Sequence, residues 1–316
     1  MTSISPTGSP LFTPPPTALE PASRQLDTTG GGASVGPQLH LEHGTPQGQG
    51  YDEGREEFLT TYYGDDGVTL SIQDRSGDGE TSVELGGGHG HDAPAKGGGV
   101  ATDGGHVYVA DGGELYVYSR AEIDAAIRED RAAVPDYVKD DIAAGSYVEV
   151  RNGKLYVGDF NTPPDGPFGK YQGEPHLYQY DVENGIVADD YNYAVRTPYY
   201  VQDVAVTDEG LVYSRSYSNK EHSPHYLTMQ EGDALAGDLE PWEDAQNVRE
   251  IPYYSEGISI VDGEVYVVHE SGSYHLNGDS SDTHVQRTPL DELAAIGGPQ
   301  DPPRPESFWD RLWPFS

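Results

Sequence analysis

The chain has 316 residues, 35% of them hydrophobic, with 40 Gly, 24 Pro and no Cys, which excludes disulfides, thiol catalysis and Cys-type zinc sites. Its formal net charge of −36 repels nucleic acid and anionic lipid, so neither is an expected partner. Tyrosines (23) far outnumber Phe (6) and Trp (3), a bias that suits half-buried pleated surfaces.

Residues 1–36 are rich in Ser, Thr, Pro and Gly, including Pro14-Pro15-Pro16 and Gly30-Gly31-Gly32. They lack periodicity and read as a disordered tail. They carry no basic segment followed by an apolar core, the pattern of a secretory leader. No later run is long enough to span a membrane. The expectation is a cytoplasmic protein, or one exported by a route that needs no such leader.

From residue 37 to 293 the sequence repeats itself. Each of five copies opens on a small or polar anchor pair and a short strand: Gln47-Gly48, Gly98-Gly99, Ser146-Tyr147, Gln202-Asp203 and Glu256-Gly257. Successive anchors are 51, 48, 56 and 54 residues apart. Turn chemistry follows at a fixed offset: Asp52-Glu53-Gly54, Asp103-Gly104-Gly105, Asn152-Gly153, Asp208-Glu209-Gly210 and Asp262-Gly263. Asn-Gly and Asp-Gly suit hairpins whose central residues need positive φ. An aromatic comes next in every copy: Phe58, Tyr108, Tyr156, Tyr213 and Tyr266.

Third strands are predicted at 68–73, 114–119, 176–181, 225–230 and 284–290, and fourth strands at 81–85, 192–197 and 247–252. A helix over 121–131, with Ile123 and Ile127 on one face, obscures the fourth strand of the second copy. About four strands per 50-residue repeat make a propeller blade. The predicted fold is therefore all-β, a single β-propeller of five four-stranded blades. The fifth copy has no fourth strand of its own. Residues 38–43, at the right spacing before the first anchor, are predicted to supply it and close the ring. Residues 294–316 read as a Pro-rich linker and an aromatic tail.

Several of these motifs resemble an actinobacterial β-propeller family over roughly residues 38–293. They are the segment Pro46–Asp52, Thr61-Tyr62-Tyr63, Ser71–Arg75, Gly97–Ala101, Lys154–Gly158 and Glu256-Gly257-Ile258. The Gln/Glu-Gly strand openings are more distantly similar to those of gluconolactonase-like and NHL-type propellers. That second resemblance implies a metal site in the central channel.

Inner strands of a propeller run along its channel, so their first residues meet at one mouth. Gln47, Ser146, Gln202, Asp203 and Glu256 are the candidate ring, in which carboxylates and amide oxygens could hold Ca²⁺ or a hydrogen-bond ring could satisfy the backbone. His89, His91 and Asp92, in a Gly-rich loop, have the chemistry of transition-metal ligands. At the far end Phe308, Trp309, Leu312, Trp313 and Phe315 place i, i+4 aromatic pairs on one helical turn, a candidate docking peptide for a protein partner. No phosphate loop, nucleophile elbow or dinucleotide fingerprint is present in the sequence. The expected function is a non-catalytic module that binds a protein or small ligand at one face. The alternatives are a Ca²⁺-dependent lactonase or hydrolase with its site in the channel, and a carbohydrate binder using exposed tyrosines.

Overall fold

The computed structural model describes residues 34–77, 79–164, 173–217, 225–252, 254–270 and 284–294. The candidate docking tail, Phe308 to Phe315, lies outside the described residues. Strand β1 (Ser34–Gln38) comes first. The first blade is β2 (Thr45–Asp52), β3 (Glu57–Gly64), β4 (Gly67–Asp74) and β5 (Thr81–Glu84). The second is β6 (Gly99–Thr102), β7 (His106–Asp111), β8 (Glu114–Ser119) and β9 (Tyr137–Lys139), with helix α1 (Arg120–Glu129) before β9. The third is β10 (Tyr147–Arg151), β11 (Lys154–Gly158), β12 (His176–Glu183) and β13 (Ile186–Arg196). The fourth is β14 (Val201–Val206), β15 (Gly210–Ser216) and β16 (His225–Asp233), edged by the short β17 (Asp238–Leu239) and β18 (Gln246–Glu250). The fifth is β19 (Ser255–Val261), β20 (Glu264–His269) and β21 (His284–Pro289), followed by α2 (Leu290–Ala294). The paired strands are antiparallel, and the blades run as inside-to-outside meanders, the fifth taking its outer strand from β1.

Strand β1 pairs with β21 as the outer strand of the fifth blade, so the two ends of the propeller share one sheet. This corrects the expected position of the closing strand. It lies at Ser34–Gln38, not 38–43. Residues 41–43 form a 3₁₀ turn closed by the His43 N–H on the His40 carbonyl at 3.0 Å. Gly44 at φ 124° then turns the chain into β2, where any Cβ would lie 2.2 Å from the Tyr63 carbonyl oxygen. Pro37, which has no N–H to donate, sits on this outermost strand, where the ladder needs none.

Five apolar cores fill the five seams between neighbouring blades. Leu59, Leu70 and Ile72 meet Val100 and Val107 between blades 1 and 2. Ala101, Tyr108 and Leu115 meet Val148 and Leu155 between blades 2 and 3. The next two seams are built by Tyr147, Leu177, Val204 and Tyr213, and by Val212, Leu227, Ile258 and Val265. The last joins Leu39, Phe58 and Tyr62 to Val261, Tyr266 and Val285. Both faces of a middle strand are therefore buried, which is why β7 runs Val107-Tyr108-Val109-Ala110 without a polar interruption. Tyrosine serves here because its hydroxyl finds a partner at the blade edge: Tyr108 on Asp103 at 2.8 Å, Tyr118 on the Gly86 carbonyl at 3.0 Å and Tyr213 on Gln230 at 2.7 Å.

The inner strands approach one another backbone to backbone, and glycine permits it. A Cβ on Gly48 would lie 2.6 Å from the Val100 nitrogen, one on Gly257 2.2 Å from the Gln49 nitrogen. The anchor glycines are thus a consequence of the narrow ring.

Candidate functional site

Each inner hairpin brings the first residue of one strand and the last residue of the next to the same end of the blade. Five blades in a ring then bring these ends together around one cavity of about 660 Å³. Its wall carries the anchors Gln47, Gly98, Ser146, Gln202 and Glu256. The residues that end or follow the second strands add Asp111, Phe160, Tyr217 and Glu270, and those just before the anchors add Lys96 and Tyr254.

Four of the five residues singled out in the sequence are therefore brought together: Gln47, Ser146, Gln202 and Glu256. Asp203 is not among the lining residues. It is 1% exposed, and its carboxylate accepts the Val204 N–H at 2.9 Å and the Ile258 N–H of the next blade at 3.0 Å. It occupies the strand position of Gly48, Gly99 and Gly257, which faces the neighbouring inner strand, and it bridges the seam between blades 4 and 5. Burial, with the Glu149 charge adding to it, raises the Asp203 pKa well above the usual carboxylate range, and the two N–H groups oppose that rise.

The polar side chains of the mouth are linked in two pairs. Gln202 Nε2 donates to the Ser216 carbonyl at 3.1 Å and to Glu256 Oε1 at 3.2 Å. Gln47 Nε2 donates to the Pro46 carbonyl at 2.9 Å and to Glu270 Oε1 at 2.7 Å. A main-chain carbonyl beside each amide fixes which end is nitrogen. Glu256 is 7% exposed. Burial, reinforced by the Glu270 charge, pushes its carboxyl well above the ordinary range, and the Lys96 ammonium only partly opposes this.

The surrounding loop is fixed by Asp111, whose carboxylate accepts the N–H groups of Ala95, Lys96 and Gly97 at 2.7, 2.9 and 3.1 Å. The Lys96 ammonium lies 5.7 Å from the centre of the Tyr63 ring. Across the mouth Phe160 stacks on Tyr217 at 5.4 Å. Tyr254 and Tyr200, each two residues before an anchor, hold left-handed φ of 60° and 66°. Their carbonyls accept the N–H groups of Glu270 at 2.9 Å and Ser216 at 3.1 Å. Bulky residues rarely adopt that conformation, and such strain concentrates at ligand sites.

The other candidate metal ligands do not line this cavity. His89 faces the Pro135 carbonyl at 3.1 Å, His91 faces Glu114 at 2.9 Å, and Asp92 accepts the Tyr116 hydroxyl on its main-chain oxygen at 3.2 Å. Among the described residues no group of three or more His, Asp or Glu side chains converges as a metal site would require. The channel residues do not fit a Ca²⁺ cage either, because Asp203, one of its two expected carboxylates, is taken by main-chain N–H groups. The signal that would have found Glu270, Phe160 and Tyr217 is the hairpin itself, since the end of each second strand must sit beside an anchor.

No family model and no curated protein matches the chain. Solved structures similar to it include a nidogen/laminin complex, 11% identical with 73% of this chain and 74% of that one covered, at a TM-score of 0.45. Another is luciferin-regenerating enzyme, 10% identical, covering 82% of this chain and 81% of that one, at 0.43. A third is the β-propeller domain of Cps50 (Swd1) from Myceliophteria thermophila, 9% identical, covering 72% and 62%, at 0.37. The propeller assignment rests on the strand order and the five seams. Among the described residues no helix is long and apolar enough to cross a membrane.

Proposed function

We propose that the protein is a binding module that takes a small organic ligand in the cavity at the mouth of its channel. The observation that carries this reading is the convergence of side chains from all five blades on one cavity of about 660 Å³, within the range of small-molecule sites. Its wall has the composition of such a site. The aromatic surface of Phe160, Tyr217 and Tyr254 faces a small set of polar groups, Gln47, Ser146, Gln202, Glu256 and Glu270. Gln47 and Gln202 are each held by a main-chain carbonyl and in turn hold Glu270 and Glu256, so little ordering of these four remains to be done on binding.

A thermal-shift panel of sugars, carboxylates and amines tests this on the parent protein and on Ser146→Trp, which fills the mouth. At a ligand concentration of about a hundred times Kd, binding stabilises the folded state by about 2.7 kcal/mol, or roughly 5–10 °C for a domain of this size. At least one class should raise the parent's Tm and leave Ser146→Trp unmoved. If no class does, or if both proteins respond alike, the mouth is not a ligand site.

A further inference from the structure

We infer that the ligand of the mouth is a neutral polyhydroxylated ring, a pyranose sugar or a short chain of them; this rests on the proposal that the mouth is a ligand cavity. Gln47 is 5% exposed and lines the cavity. Its amide nitrogen is committed to the Pro46 carbonyl and Glu270, and that of Gln202 to the Ser216 carbonyl and Glu256. Among the described residues neither amide oxygen, nor the Ser146 hydroxyl of the same wall, has a hydrogen-bond partner. Two acceptors, and one group that both donates and accepts, are thus left for the ligand. Hydroxyls satisfy all three, because each can donate and accept at once.

Placement favours a ring with hydroxyls around its rim. Gln47 lies in β2 of blade 1, Ser146 precedes β10 of blade 3 and Gln202 lies in β14 of blade 4, so the available atoms stand on separate parts of the wall. A planar base presents its N–H donors along one edge, whereas a pyranose carries donors all round. The stacked rings of Phe160 and Tyr217 follow the second strands of blades 3 and 4. The Ser146 N–H donates to the Gly158 carbonyl at 2.9 Å, two residues before Phe160, and the Gln202 amide donates to Ser216, next to Tyr217. Apolar ring surface therefore adjoins the hydroxyl and the amide. A pyranose matches that pairing, since its C–H face is apolar and its rim is polar.

The charges of the mouth do not call for an ionic ligand. Asp111 is occupied by three main-chain N–H groups, Glu270 accepts the Gln47 amide, and burial pushes Glu256 toward its neutral form. A neutral carboxyl is itself a donor and acceptor for hydroxyls. An anion would be repelled by a chain of net charge −36. A bare metal ion would leave most of a cavity of about 660 Å³ unfilled, and no group of three or more His, Asp or Glu converges on it among the described residues.

Calorimetric titration with glucose, galactose, mannose and cellobiose tests the class against 2-phenylethylamine, 3-phenylpropanoate, adenine and tetrahydropyran-2-methanol. The last is the same ring bearing a single hydroxyl. At least one sugar should bind about tenfold or more tightly than each of these four, a gap that one or two hydrogen bonds supply. Ser146→Ala, which removes one hydroxyl and is not expected to disturb folding, should weaken that sugar about three- to tenfold. Gln202→Leu should weaken it at least as much. If tetrahydropyran-2-methanol binds as tightly as the sugars, the hydroxyls are not read and the inference fails. If the amine, the propanoate or adenine binds most tightly, and Ser146→Trp abolishes that binding, the mouth is a ligand site but the sugar class is wrong. If a sugar binds and neither Ser146→Ala nor Gln202→Leu weakens it, the sugar sits elsewhere and the inference is overturned. If no probe binds, and a wider panel also leaves the Tm unmoved, the ligand-cavity reading falls together with the inference.

Discussion

Replacing Leu39 with alanine tests whether the ring is closed across its first and last blades. Leu39 follows β1 and is 4% exposed. It packs among Phe58 and Tyr62 of blade 1 and Val261, Tyr266, Val268 and Val285 of blade 5. Its neighbours belong to rigid sheets on both sides, so the space left by the truncation cannot collapse. Loss of the transfer free energy plus the residual cavity should cost about 2.5–4 kcal/mol. At roughly 2–4 °C per kcal/mol, Tm should fall by about 5–15 °C. Leu41, half-buried at the rim of the same cluster, is the control, and Leu41→Ala should cost about 1 kcal/mol. Urea unfolding monitored by circular dichroism gives both values. A paired truncation isolates the strand itself. Removing residues 1–38 takes away β1 and bares the edge of β21, while removing 1–33 keeps every β1 pair. The longer deletion should melt lower and aggregate more readily. If Leu39→Ala stays within about 1 kcal/mol of the parent, or the two truncations melt alike, the seam is not a closed core.

Two further outcomes follow from the ring and the channel. Gly257→Ala sets a methyl 2.2 Å from the Gln49 nitrogen and 2.6 Å from the Gly48 carbonyl carbon, both backbone. It should therefore cost about 3 kcal/mol or more by chemical denaturation; Gly263→Ala, with φ +75° but open space around it, should cost only about 1 kcal/mol. Burial pushes the Glu149 carboxyl up to about 8, with the Arg151 guanidinium only partly opposing it. The folded state then holds this proton more firmly than the unfolded chain, so the stability it contributes is complete below about pH 4.5 and is lost as pH rises through about 8. Glu149 keeps some contact with water, which reduces the effect to about 2 kcal/mol. Glu149→Gln should flatten the decline measured between pH 5 and pH 9, and an unchanged slope would refute the assignment.

The blades were legible because their turns are chemical. Asp-Gly and Asn-Gly at a constant offset from each anchor placed the inner hairpins, and β8 matches its predicted span, Glu114–Ser119. The outer strands were less legible, since they carry fewer constraints. Strand β9 follows α1, whose 3.6-residue period masks the two-residue alternation. Strand β13 starts at Ile186, six residues before its predicted start, because its first half is exposed and broken by register shifts. The closing strand was misplaced for a related reason. Leu39 and Leu41 alternate as a strand would, yet both pack into the same seam from an irregular segment and a 3₁₀ turn. In the site, anchors could be read one strand at a time. Glu270 and Tyr217 needed the whole hairpin, whose second strand returns to the anchor, and Tyr254, which precedes its strand, enters the mouth only once the ring is closed.

Asp203 shows how the ring divides structural from functional polarity. Along an inner strand, alternate residues face the cavity or the next strand's backbone. Where the facing residue is Gly, as at 48, 99 and 257, the neighbouring N–H lies against bare backbone. Where it is Asp203, a carboxyl oxygen takes up that N–H inside the wall. One position earlier, Gln202 and Glu256 face the mouth and satisfy each other through a single hydrogen bond, which uses the amide's donor and only one carboxylate oxygen. The same sequence pair, Gln202-Asp203, thus supplies a framework link with its second residue and a mouth-facing amide with its first. A ring built this way consumes donors faster than acceptors, because main-chain carbonyls at the strand ends compete for the amide N–H groups. The polarity of the mouth is therefore a product of how the hairpin ends satisfy their own backbone.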